Sequence, residues 1–331
     1  MDRKTPAFIY LLFLSLFSLG CSHLPHAEKP NNPTAIAYTA SLDPSLVSRY
    51  TPVITIENSH QSYNQIGTVK ASINKGKENI YVDPKHASFY VSHREFTSTS
   101  GRRYTNLIYR IHFEKVPYSL IPFHLTAGDN GGLIVVITLN TNKEPILITS
   151  VHSCGCYLAF TPTSLLSKEA FPKNWNWQTN RVFGENLPSL LTLNKPFNET
   201  TRPLIKLRDG THRVMDISTI SHEQAQKQFT LVNGELQPIK ALKKLSLPNK
   251  TTTSFYHSHG LKKGYVRGAN KPLEFLLMSW WSLDLFVGRD KEFGPSDETG
   301  NVFYTSLKPW NRKASNMWHF DTFLDFWGWR L

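Results

Sequence analysis

Between about Ala35 and Thr163 the hydrophobic positions fall in short runs rich in β-branched and aromatic residues, and polar turns separate the runs. This is the pattern of strands. The runs are Val53 to Ile56, Gly67 to Ile73, Asn79 to Val82, Ser88 to Thr97, Tyr104 to Phe113, Leu133 to Leu139 and Ile146 to Val151. Ser100-Gly101-Arg102 and Asn140 to Lys143 suit hairpin connections, so the half spanning residues 35–163 reads as an antiparallel sandwich or curved sheet. Alternation from Tyr104 to Phe113 is imperfect, which predicts one buried face and a second that is only partly wet.

Residues 164–269 read as loops, short helices and hairpins of the same domain. Leu204 to Arg208 and Thr211 to Ile217 flank Asp209-Gly210, while Phe229 to Val232 and Glu235 to Ile239 flank Asn233-Gly234. Such dipeptides supply the positive backbone angles of a two-residue turn, so two hairpins are predicted. In the last stretch, residues 270–331, the period changes. Asn270 as a cap, Pro272 in the first turn and Gly288 past the end predict a helix over Lys271 to Val287, apolar nearly all round. Glu274 and Asp284 interrupt it, so a core helix is expected rather than a membrane span. A second helix is predicted from Ser315 to Trp327. Six of the eight tryptophans (Trp280, Trp281, Trp310, Trp318, Trp327 and Trp329) lie here, and most are expected to be core. The class that emerges is α+β: a β-rich sandwich or curved sheet with a helical, Trp-rich C-terminal part.

Composition adds a location. The chain has 331 residues, 40% of them hydrophobic, enough for a substantial core, and a net charge of +12. A basic surface favours anionic lipid or an anionic envelope polymer. The basic residues are scattered and accompany no nucleic-acid motif, which sets nucleic acid aside. Arg3 and Lys4 precede an apolar run from Ala7 to Leu19, too short to span a membrane and of the length of a secretory signal's core. The run ends in Ser18-Leu19-Gly20-Cys21, which resembles the lipobox of bacterial lipoproteins. The resemblance implies a signal peptide over residues 1–20, lipidation of Cys21 and, with Ser22 following, sorting to the outer membrane facing the periplasm. It covers this segment only. Ser22 to Pro33, with three prolines and no apolar period, reads as a tether ahead of the domain, so residues 21–34 are its lipidated stalk.

With Cys21 assigned to lipid, the remaining cysteines are Cys154 and Cys156, in His152-Ser153-Cys154-Gly155-Cys156. On a straight strand alternate residues are about 6.6 Å apart, too far for two sulfurs to share a metal or a bond. The segment has to turn, and Gly155 is the residue that permits it. Three readings compete: a small, reducible disulfide, a metal site, or two bystander thiols. His257-Ser258-His259 is a second candidate ligand pair, since imidazoles on alternate residues converge on one metal more readily than thiols do. Sulfur with imidazole would suit zinc or copper. A cysteine nucleophile served by His257 or His319, with Asp321 or Asp284 orienting, would instead make a hydrolase. A non-catalytic envelope protein that binds anionic polymer or lipid needs none of these residues. No substrate is legible.

Overall fold

A computed structural model describes residues 35–41, 45–193 and 201–331, and these belong to one compact unit. The signal segment, Cys21 and the tether lie outside the described residues. Ten strands make one sheet: β1 (Ile36–Ala40), β2 (Val53–Ile56), β3 (Ser88–Thr97), β4 (Arg103–His112), β5 (Gly132–Leu139), β6 (Pro145–His152), β7 (Ala159–Pro162), β8 (Thr201–Leu207), β9 (Val214–Ser221) and β10 (Thr230–Pro238). Their order across the sheet is β7-β6-β5-β4-β3-β10-β1-β2-β8-β9. The predicted meander is the antiparallel run from β3 to β7. The other half is mixed, because β10 lies parallel to both β1 and β3 and β8 lies parallel to β2.

The sheet is nearly closed on itself. Leu107, Tyr109, Val135, Ile137 and Ile148 from one half pack in a single cluster with Ile205, Leu207 and Ile217 from the opposite edge. Strand twist brings the two edges round so that this apolar face is enclosed. The alternate residues Ile108, Ile134, Val136 and Leu147 point outward and are buried beneath Phe303, Met317, Phe320, Phe323, Leu324 and Trp329 of the C-terminal segment. Both faces of β4, β5 and β6 are therefore dry, which accounts for the weak alternation there.

Two expectations fail. The Asn233-Gly234 stretch is no hairpin, since β10 runs straight through it; a side chain at Gly234 would lie 2.7 Å from the Phe89 ring, so the glycine there permits close packing. Asp209-Gly210 does join the antiparallel pair β8 and β9, through a turn over residues 208–213. The second failure concerns the helix predicted over Lys271 to Val287. Of the helices, α1 (Leu46–Tyr50) and α2 (His222–Gln228) are short, and α3 (Pro272–Ser282) ends where Leu283 turns left-handed. It is not a core helix: Phe275, Leu276, Leu277, Trp280 and Trp281 are exposed, Trp280 to 73%. Trp310 and Trp327 are exposed too, so most of the late tryptophans are not core; Trp329, at 1%, is. The end of the chain adds α4 (Ser296–Thr299) and α5 (Phe320–Phe326), the latter shorter than the helix predicted over Ser315 to Trp327.

Candidate functional site

Strand β6 ends at His152, and the chain turns at once. Gly155 donates to the His152 carbonyl at 2.8 Å, His152 donates to the Cys156 carbonyl at 2.9 Å, and Gly155 sits at φ +93°. The glycine is required twice over. Its conformation is one that side chains resist, and a Cβ would lie 2.1 Å from the Tyr304 carbonyl oxygen. This turn brings the Cα atoms of Cys154 and Cys156 to 5.6 Å, and their sulfurs form a disulfide. In this structure the two sulfurs are therefore not free thiols.

The turn is clamped from behind by residues that carry no motif. Ser153 Oγ donates to Asp290 Oδ2 at 2.6 Å, and Lys271 Nζ donates to Asp290 Oδ1 at 2.6 Å, with both charged groups buried. Lys291 Nζ donates to the Cys154 carbonyl and lies 4.1 Å from the centre of the Tyr304 ring. Arg110, fully buried, donates to the Lys291 carbonyl at 2.8 Å. Burial pushes Lys291 down to about 8, against the pull of Asp284 and Glu274. A charged residue inside an apolar run was the available signal for this set: Arg110 between Tyr109 and Ile111, Glu274 between Leu273 and Phe275.

In front of the turn lies a cleft of about 560 Å³. The disulfide and Gly155 form part of its wall. Phe160, Phe183, Met278, Leu307 and Trp327 give it apolar sides, and Glu274 of α3 faces it. Cys154 is buried and Cys156 is partly exposed, so Cys156 is the more accessible residue of the pair. Glu274 is buried with Oε2 lacking a hydrogen-bond partner, and burial raises its carboxyl above the usual range.

His152, Cys154 and Cys156 offer ligand atoms within 4.8 Å of one another, and among the described residues no other such group occurs. This group could hold a metal. His152 Nε2 lies 3.1 Å from the His212 carbonyl, which can only accept, so that nitrogen carries the proton and Nδ1 the lone pair. Burial, reinforced by the charge of Lys271, pushes His152 down to about 4 and keeps it neutral, as a ligand must be. The disulfide, however, provides no thiolate, so three-ligand binding belongs to the reduced form. His257 and His259 do not join this group. His257 is half-buried in a loop paired with Tyr265, and His259 is exposed beside Ser258. The nucleophile arrangement is not assembled either: the two sulfurs bond each other, and Asp284 accepts from the Tyr304 hydroxyl.

The sequence matches no protein-family model, and no curated protein or solved structure is similar to it.

Proposed function

We propose that this is a lipid-anchored protein of the cell envelope, held at the outer membrane on the periplasmic side, whose working centre is the Cys154–Cys156 pair and acts by thiol–disulfide exchange. The envelope part is supported by the Arg3 to Cys21 segment and by a cysteine pair suited to an oxidising compartment. The chemistry rests on one observation: the disulfide stands in the wall of a cleft, with a partly exposed residue, Cys156, bonded to a buried one, Cys154. An external thiolate attacks Cys156 Sγ, the S–S bond breaks, and Cys154 leaves with the electron pair as a thiolate, near the Lys291 ammonium bonded to its carbonyl. A second thiolate of the reductant releases it as its own disulfide, leaving Cys154 and Cys156 reduced by two electrons. In that state His152 and the two thiolates would supply three ligands to zinc or copper(I).

The test uses the full chain. Cys154→Ser leaves Cys156 as an unpaired thiol at the cleft, which should exchange with a small disulfide such as oxidised glutathione to give a mixed disulfide and release one thiol, whereas Cys156→Ser should not. A pair that resists stoichiometric reduction by dithiothreitol in the native protein overturns the exchange reading. Stoichiometric metal in the reduced wild type, lost in Cys154→Ser and His152→Ala, would support the metal-holding form. Unchanged processing and detergent partitioning in Cys21→Ser would remove the anchor.

A further inference from the structure

The outer face of α3 is an apolar feature that the core leaves unused. Phe275, Leu276, Leu277, Trp280 and Trp281 are exposed on it, and Leu283 and Leu285 continue the exposure beyond its end. A single exposed leucine needs no explanation, but a contiguous aromatic and aliphatic face does. Trp310, 77% exposed, lies on the segment that Arg312 ties to α3 through a hydrogen bond to the Ser282 carbonyl. The inner side of the same helix, through Glu274 and Met278, lines the cleft. Leu125 and Thr126 also line the cleft, and the same loop exposes Leu120 and Ile121.

Charge selects the occupant. Within residues 272–289 and 306–314 the acids are Glu274, which is buried, and Asp284, which is bonded to Tyr304 and lies 4.0 Å from Arg312. The basic residues Arg289, Lys308, Arg312 and Lys313 all retain exposure. A two-fold contact between copies would set these like charges against each other, so self-association is disfavoured. Tryptophan and leucine beside lysine and arginine suit the headgroup region of a bilayer with anionic lipid. The helix has only 11 residues, and no described helix is long and apolar enough to cross a membrane, so this face would lie on the bilayer.

We infer that α3 and the Trp310 segment form a docking face for an anionic lipid bilayer, one that borders the mouth of the cleft. The contact is independent of thiol exchange and of Cys21. Its test is local: full-length protein is mixed with phosphatidylglycerol vesicles carrying brominated acyl chains, and tryptophan quenching is read in wild type and in Trp280→Phe/Trp281→Phe. The wild type should be quenched and the variant clearly less so. Both chains keep residues 1–34, so any binding through that segment cancels. Lys308→Gln with Lys313→Gln should weaken association with anionic vesicles about thirtyfold, through two lost cationic contacts, while leaving phosphatidylcholine binding unchanged. Equal quenching in wild type and variant overturns the proposal. So does a lipid-independent dimer that Trp280→Phe/Trp281→Phe dissolves.

Discussion

Gly155 shows what one residue decides at this site. Its left-handed conformation and the Tyr304 carbonyl 2.1 Å from any Cβ leave alanine no accommodation on either side. Gly155→Ala should cost about 1–3 kcal/mol and open the turn, which urea unfolding and a free-thiol titration of the native protein would register together. The need for a turn was legible in the sequence, because cysteine is too short to bridge a straight strand. The clamp behind it was not. Asp290, Lys271 and Lys291 come from far along the chain, and no local spacing announces their convergence. The buried histidines give a pH signature. Burial, with the charge of His152, holds His212 down at about 3, while burial and Lys271 hold His152 at about 4. Both are depressed below the unfolded value, so their contribution is fully present above about pH 6.5 and is lost as pH falls toward 4. Each neutral buried ring should steepen the loss by about 1.4 kcal/mol per pH unit in that window. His212→Gln, which can keep a donor toward the Tyr63 carbonyl, should remove one ring's share of the slope in urea titrations at pH 6.5, 5.5 and 4.5.

At the scale of elements, the strands of the meander were readable because β-branched runs and turn residues agree, and β3 to β6 fall within a residue or two of the predicted limits. The parallel insertion of β10 between β1 and β3 was not readable, since a pairing that distant leaves no local pattern. The helix over residues 272–282 was recognisable from Pro272 and its composition, yet the surroundings of its side chains were not. Hydrophobicity all round a helix says that an apolar partner is wanted and does not name it. The exposed face therefore predicts a sharp contrast. Leu276→Ser should change unfolding free energy by less than about 0.5 kcal/mol, because that residue is 69% exposed. Trp329→Ala should cost about 3–5 kcal/mol, since its indole is enclosed by Phe160, Phe171 and Trp175. Equal costs in chemical denaturation would mean that α3 is covered by protein in solution.

On the scale of the whole molecule, the C-terminal segment is a wall of the fold. The outer face of the meander presents Ile108, Ile134, Val136 and Leu147, and their cover is Phe303, Met317, Phe320, Phe323, Leu324, Trp329 and Leu331. Polar contacts fasten the cover to the β3–β4 end of the sheet: Arg94 donates to the Trp318 carbonyl at 2.7 Å and stacks over its ring, and Ser100 donates to the Leu331 backbone oxygen at 2.7 Å. Ending the chain after Asn311 would remove all of this cover except Phe303 and expose the outer face of three central strands. Each large aromatic lost from a core costs about 3–5 kcal/mol, while a domain's whole stability is about 5–15 kcal/mol, so losing Phe320, Phe323 and Trp329 together exceeds the margin. The truncated chain should lose cooperative urea unfolding monitored by circular dichroism and should aggregate through the bared sheet face. A truncated chain that stays monomeric and unfolds cooperatively would show instead that the barrel-like interior is self-sufficient and that the C-terminal segment serves only the cleft.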